Sequence, residues 1–412
     1  MQNKIDTPRG LRLQIGIFGR RNVGKSSLFN GLLHQNVAIV SEIAGTTTDP
    51  VEKAMEFPEL GPVLFVDTAG IDDEGALGAS RVARTQQVLE RVDLALVVTD
   101  GVWDNFERQL LKLFRERATP TGIICSKSDL RTDRLLESQI RQEAMDTPVV
   151  SISTLTEDGL NEVRRMIIEL AASKKDKRQQ PLVADLVPEK GVAALVVPLD
   201  KAAPKGRLIQ PQVLTIRELL DHGVYTLVVR DVELADALDK LAKPPDLVIT
   251  DSQAFAKVAA VVPDNVPMTS FSILLARQKG DLAELVRGAL AIGNLKPGDP
   301  ILIAETCTHH PVEDDIGRVK IPALLEKKVG GKLAITHVAG CDKPHNFEDF
   351  KLVVQCGSCM WTRQEMLSRM ATVKAASVPM TNYGVTIAYC LGILERAIRL
   401  FPAAHQVLIS RK

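Results

Sequence analysis

The chain carries no net charge: 51 lysines and arginines are matched by 51 aspartates and glutamates over 412 residues. Such a balance has none of the basic footprint of a nucleic-acid binder or of a protein drawn to an anionic membrane, so neither partner is expected. Cysteine is scarce too. Six in a chain of this length do not make a disulfide scaffold, and their clustering suits a reducing compartment. Long apolar runs are missing, since no stretch approaches the ~20 residues needed to cross a bilayer. The opening Met1-Gln-Asn-Lys-Ile-Asp6 also lacks the apolar core of a signal peptide, which makes a soluble cytoplasmic protein the expectation. The length leaves room for several domains with ample core.

What is present begins at Leu13. Leu13-Gln-Ile-Gly-Ile-Phe18 reads as a buried strand that runs straight into Gly19-Arg-Arg-Asn22-Val23-Gly24-Lys25-Ser26-Ser27, followed by a helical pattern through Leu33. This is G-x-x-x-x-G-K-S in the strand-to-helix context the motif requires. Its glycines let backbone N–H groups wrap phosphates, Lys25 reaches the β- and γ-phosphates, and the Ser26 hydroxyl binds magnesium.

Further signals follow in order. Gly45-Thr46-Thr47-Thr48-Asp49-Pro50 offers hydroxyls for the magnesium shell, Thr48 foremost, and Val63-Leu-Phe-Val-Asp67-Thr68-Ala69-Gly70 puts a carboxylate at a strand end beside the γ-phosphate. Lys25, Thr48, Asp67 and Gly70 are therefore the candidate catalytic residues, with magnesium on Ser26, Thr48 and Asp67. Ile123-Ile-Cys-Ser126-Lys127-Ser128-Asp129 ends a later strand. A carboxylate there can accept paired hydrogen bonds from guanine N1–H and the 2-amino group, which adenine cannot offer, and Ser153 and Thr154 would support the same base. The set, over about residues 10–172, resembles the GTPases of the Era and TrmE group, which implies GTP and GDP as ligands. Ser126 stands where that group has asparagine, and Thr154 where it has alanine. Ile71 follows Asp-Thr-Ala-Gly where Ras-like proteins carry the glutamine that positions water, so slow hydrolysis is expected. Asn22 matches the asparagine that helps hold a monovalent cation in potassium-activated members, and K⁺ rather than Na⁺ is expected to stimulate. Cys125, His34 and Trp103 read as structural.

After Ala172 the composition changes. Ser173-Lys-Lys-Asp-Lys-Arg-Gln-Gln-Pro181 reads as a linker. Strand-like Gly191–Val197, Val224–Val229 and Leu247–Thr250 then alternate with helical patterns, a small α/β unit with no clustered catalytic residue types that reads equally as a place for self-association through a sheet edge and as a plain spacer. A third unit begins near Pro267, with helices expected over Ile316–Val329 and Val385–Phe401 among others.

The remaining thiols lie there. Cys307-Thr-His309-His310 follows the apolar run Ile301-Leu-Ile-Ala304, and Cys356-Gly-Ser-Cys359-Met360 follows Leu352-Val-Val-Gln355. Both runs read as buried parallel strands. Sites in open α/β sheets gather where such strands emerge, so strand order can bring Cys307, Cys356 and Cys359 into one crevice. Thiolate sulfur favours zinc or an iron–sulfur cluster, each usually with four ligands. The fourth is open between His309, His310, a carboxylate of Glu313-Asp314-Asp315 and something exchangeable. The competing reading makes Cys356 and Cys359 two buried thiols at a helix start. Cys341, Cys390, His337 and His345 read as loop and core residues.

Taken together, Cys-Thr-His-His-Pro-x-Glu-Asp-Asp-Ile-Gly, then x-Cys-Gly-x-Cys-Met, then Val378-Pro-Met-Thr-Asn382-Tyr383-Gly384-Val385, all behind an Era-like domain, resemble the HydF family of [FeFe]-hydrogenase maturation GTPases over essentially the whole chain. That pattern has a histidine where this chain has Gln355. The resemblance implies three α/β domains: a P-loop GTPase with a Ras/Era-like doubly wound sheet (1–173), a linker (174–182), a dimerisation domain (183–265) and a cluster-binding domain (266–412). It also implies a [4Fe-4S] cluster on Cys307, Cys356 and Cys359 with a labile fourth ligand, and a homodimer through the middle domain. The role implied is that of a scaffold that takes a diiron subcluster precursor from radical-SAM maturases to apo-hydrogenase. Asp314 is the first choice for fourth ligand, because an oxygen donor among thiolates should exchange readily, with His309 second. The rival readings are a ribosome- or tRNA-associated GTPase with a structural zinc site and a metal-insertion GTPase carrying one nickel or zinc ion.

Overall fold

The computed structural model describes residues 9–34, 41–43, 51–57, 59–67, 88–130, 134–144, 146–178, 180–198, 208–306, 315–339 and 346–410. The chain divides into two units, Met1–Gln179 and Gln180–Lys412.

In the first unit the described strands are β1 Leu13–Phe18, β2 Ser41–Ile43, β3 Val51–Phe57, β4 Gly61–Asp67, β5 Leu94–Thr99, β6 Thr121–Cys125 and β7 Val149–Ser151, in the sheet order β2-β3-β4-β1-β5-β6-β7. From β4 through β7 every pairing is parallel, and β2 and β3 add an antiparallel edge. Strands such as Leu-Ala-Leu-Val-Val-Thr in β5 are buried at every position, because helices cover both faces of a parallel sheet and leave no wet side to select polar residues. Ile15, Ile17 and Leu28 fill one face, with α1 Lys25–His34, and Phe18, Val66 and Phe114 the other, with α2 Asn105–Glu116. Strand order reverses around β1, so its carboxyl end opens into the crevice where such sheets bind ligands.

The last helix of this unit, α3 Leu160–Arg178, starts behind Gly159, whose φ of +77° and closeness to Ser151 O (a Cβ would lie 2.2 Å away) leave room for no other residue. The helix runs on to Arg178, so the stretch 174–182 expected as a linker is helical over its first residues. Lysine and arginine are good helix formers, and polarity alone does not separate a solvated helix from a coil.

The second unit holds two four-stranded parallel sheets. One is built from β8 Val192–Val196, β9 Tyr225–Val229, β10 Leu247–Thr250 and β11 Met268–Ser270 in the order β11-β10-β8-β9. The other uses β12 Pro300–Glu305, β13 Ala334–Ala339, β14 Leu352–Gln355 and β15 Met380–Asn382 in the order β13-β12-β14-β15. A single apolar core runs through both, from Leu182 to Ala404, and β11 lies past the domain boundary expected at residue 265. Helix α4 Phe271–Lys279 is buried on nearly every side, Arg277 and Lys279 included. Helix α5 Leu282–Leu290 lies hard on β15, where a Cβ on Gly288 would meet Met380 O at 1.9 Å. The helix expected over Val385–Phe401 is broken in two, because Gly392 takes a left-handed φ of +75° after α6 Tyr383–Cys390. In the first of the two sheets β9 is an edge strand, with Tyr225 and Val228 exposed.

Candidate functional site

At the end of β1 the loop is bent by three positive φ angles, at Gly19 (149°), Asn22 (62°) and Gly24 (95°). A Cβ on Gly19 would stand 2.3 Å from Val98 O, so the turn pressed against β5 accepts only glycine. Lys25 opens α1, is 8 % exposed, and folds its ammonium back onto the loop carbonyls of Gly19 (2.8 Å) and Arg20 (2.6 Å). Its charge is thereby held over the loop that phosphates would occupy. Ser26 donates to Asp67 Oδ2 at 3.1 Å, bringing together the two residues expected to share magnesium. Among the described residues Asp67 Oδ1 is buried without a hydrogen-bond partner. Burial pushes the Asp67 carboxyl above its usual range, opposed by the Ser26 hydroxyl and by the charges of Lys25 and Lys53. A buried carboxylate oxygen with no donor, beside a hydroxyl, fits a hard divalent cation. Thr48 and Gly70 lie outside the described residues, as does Ile71.

Of the two arginines in this loop, Arg20 is committed elsewhere. Arg20 pairs with Glu107 (2.8 Å) and with Asp104, the residues of the capping box of α2, and its guanidinium lies over the Phe106 ring.

On the far side of the crevice, Ser126, Lys127 and Asp129 follow β6 and Ser153 and Thr154 follow β7. Ser153 Oγ donates to Asp129 Oδ1 at 2.6 Å and accepts from the N–H groups of Leu155 and Thr156 (3.3 Å each), which fixes the carboxylate that would read a guanine. Ser126 does something its position did not announce. It is 2 % exposed and its hydroxyl reaches Val23 O and Thr99 O (3.1 Å), strapping the phosphate loop to the end of β5. Lys127, at φ +57°, pairs with Asp100 at 2.8 Å. Asn22 and Ser27 are exposed at the loop rim and Val23 is buried beneath it.

In the second unit β12 and β14 are neighbours, Ala304 opposite Gln355, so the segments that follow them emerge side by side. The Thr306 N–H donates to Cys356 Sγ at 3.2 Å and the Thr306 hydroxyl lies 3.3 Å from the same sulfur. Cys307, His309 and Asp314 lie outside the described residues, but the residue that precedes Cys307 is already on the Cys356 thiol. Hydrogen bonds to sulfur favour the thiolate, and a soft anionic donor at a strand end suits zinc or iron. Among the described residues no group of three or more metal-ligating side chains assembles. Gln355, at the position of the family histidine, is fully buried and donates to Ala304 O at 3.2 Å.

Sequence reasoning missed the supports of this end. Tyr383 donates to the buried Glu305 at the tip of β12 (3.1 Å), and burial, then Cys356 and Glu305, push its hydroxyl pKa up. Asn382 caps α6 by accepting from Val385 N–H at 2.9 Å, and Gly384 lets that helix approach Ser272, whose Cβ a substituent would meet at 2.7 Å. The Thr-Asn-Tyr-Gly-Val run is thus a cap, a strut and a close crossing. Lys279, described below, carried no signal beyond an ordinary cation at a helix end.

Residues 14–127 match the family model of the 50S ribosome-binding GTPases. Residues 182–280 match the hydrogen maturase F dimerization domain and residues 283–400 the hydrogen maturase F tetramerization domain. The tRNA modification GTPase MnmE of Heliobacterium modesticaldum is 41% identical over 154 residues, 37% of this chain and 32% of that protein. The GTPase Der of Campylobacter hominis is 32% identical over 201 residues, 46% of this chain and 43% of that protein. The chain therefore spans less than half the length of these curated relatives. A solved structure of Aquifex aeolicus Era bound to GDP·AlF4⁻ aligns over 60% of this chain and 97% of its own, at 20% identity and a TM-score of 0.33. Behind the N-terminal P-loop GTPase domain the two maturase domains follow in order and cover nearly the whole second unit, so the chain belongs to the hydrogen maturase F (HydF) family.

Proposed function

We propose that the chain is a GTPase and scaffold of [FeFe]-hydrogenase maturation. Its C-terminal domain holds a [4Fe-4S] cluster on Cys307, Cys356 and Cys359, with Asp314 or, failing that, His309 as an exchangeable fourth ligand. A diiron precursor supplied by radical-SAM maturases is its cargo and apo-hydrogenase the recipient. The observation that carries this is the Cys356 thiol at the end of β14, bonded by the residue before Cys307 across the sheet. The edge strand β9, unpaired on one flank among the described residues and with Tyr225 and Val228 exposed, supports a homodimer through the middle domain. Anaerobic reconstitution followed by metal and acid-labile sulfide analysis tests the reading. Iron and sulfide in equal amounts are expected. Zinc without sulfide would overturn it in favour of a ribosome- or tRNA-associated GTPase with a structural zinc site.

In the GTPase domain the chain's own groups divide the work. Loop N–H groups and Lys25 bind and orient the phosphates, Asp129 with Ser153 and Thr154 selects guanine, and the Ser126 strap keeps the loop in place. A magnesium ion held by Ser26, Thr48 and Asp67 would supply charge neutralisation on the β- and γ-phosphates. Arg20, one of the loop's two arginines, is tied to Glu107 and Asp104, and a monovalent cation at Asn22 would take the role an arginine finger fills elsewhere. K⁺ is therefore expected to raise the slow turnover by about tenfold or more over Na⁺ at equal ionic strength, with the 10³–10⁵ an arginine finger is worth as the upper bound. Equal phosphate-release rates in the two salts would remove the cation from Asn22.

A further inference from the structure

A lysine lies beneath the thiol loop, out of reach of solvent. Lys279 ends α4 and is 5 % exposed. Its ammonium gives hydrogen bonds to the carbonyls of Ser358 (3.1 Å), Cys359 (2.9 Å) and Trp361 (2.6 Å). A helix-terminal lysine ordinarily runs its stem along the surface and keeps its head in water, whereas this one crosses into a loop some 80 residues away in sequence. The loop needs holding, for Ser358 between the two thiols sits at φ +51°, a conformation that non-glycine residues seldom adopt. Burial pulls the Lys279 pKa down to about 8, and the charges that oppose the fall are those of Cys359, Glu365 and Cys356. Glu365 is itself engaged with the Thr362 N–H at 2.6 Å. The buried ammonium is thus held on the main chain of Cys359 itself, in surroundings where charge interactions are stronger than in water.

We propose that Lys279 is a positioning residue for the cluster, which fixes the Cys356–Cys359 loop through three carbonyls and, as a buried positive charge, raises the cluster's reduction potential. The inference rests on the cluster reading above. Cysteine thiolates make the cluster environment negative, and reduction adds one electron more. A cation held in the interior stabilises the reduced form beyond the oxidised one, since net charge and local environment set such potentials.

The test uses the full chain, reconstituted anaerobically, as wild type, Lys279→Met, Lys279→Gln and Lys279→Arg. Midpoint potential is read by dithionite titration followed by EPR, and cluster retention by iron release to a chelator. Lys279→Met is expected to shift the potential negative and to speed iron release by about 10-fold or more, the scale on which outer-shell partners act, while Lys279→Arg stays near wild type. A wild-type potential in Lys279→Met overturns the inference, because a lysine that merely ties the loop would alter retention and leave the potential in place. Should Lys279→Met hold no cluster, Lys279→Gln, which keeps donors for the carbonyls and lacks the charge, carries the same comparison. Loss from both with retention in Lys279→Arg supports the inference, and loss from all three reduces Lys279 to a fold residue and overturns it. Absence of a cluster from the wild type would instead remove the cluster reading itself.

Discussion

Alanine at Cys307, Cys356 and Cys359 together is expected to abolish the reduced [4Fe-4S] EPR signal of the reconstituted chain while GTP binding stays at the wild-type level. The effect should be the largest of any substitution in the second unit. Loss of an outer-shell partner alone weakens metal binding by about 10- to 100-fold, and here the donors themselves go. GTP binding is the control, because its site lies in the other unit and uses none of these residues. The protein should survive the change: Cys356 and Cys359 are only partly buried, and the loop that carries them is held by Lys279 through main-chain carbonyls that alanine keeps. A reduced cluster signal in the triple variant would mean that iron sits elsewhere and would sink the assignment. The same spectrum sorts the fourth ligand. An altered line shape in Asp314→Ala supports an oxygen donor, and an unaltered one moves the assignment to His309.

The phosphate loop was legible from the sequence because its geometry is local: a strand, two glycines, a lysine and a helix start fix one another within a dozen residues. The role of Ser126 was not, since it appeared only as a departure from an asparagine. Its partners Val23 and Thr99 lie 103 and 27 residues away, and no periodicity announces such a contact. Lys279 escaped for the same reason. The thiol site stands between these cases. The apolar runs before Cys307 and Cys356 marked the strands, but the order that sets β12 beside β14, with β13 on the other flank of β12, skips one strand, and adjacency of consecutive units does not supply it. What the runs could not carry was the bond from Thr306 to Cys356 or the Tyr383 strut on Glu305. Helix ends went astray where composition and conformation part, as in the charged stretch that stays helical to Arg178. At Gly392 the apolar spacing continues, but a left-handed turn stops the helix.

Asp129→Asn is expected to weaken GTP binding by roughly 10²- to 10⁴-fold in Kd and to improve binding of xanthosine triphosphate. The carboxylate is fixed by Ser153 Oγ at 2.6 Å on Oδ1, and it would accept from both the N1–H and the 2-amino group of guanine. Hydrogen bonds to a charged partner are worth about 1.5–3 kcal/mol each, so losing the charge and one acceptor costs about 3–5 kcal/mol on that scale. The asparagine amide cannot restore the pair, since its NH₂ would face the guanine amino group, donor against donor. Xanthine carries a carbonyl at that carbon and so offers an acceptor to the same NH₂. Fluorescence titration with labelled guanosine and xanthosine nucleotides measures both constants. An unchanged affinity for GTP would show that the base is read elsewhere in the crevice, and a loss for both nucleotides would point to collapse of the Asp129–Ser153 bond rather than to a change of base preference.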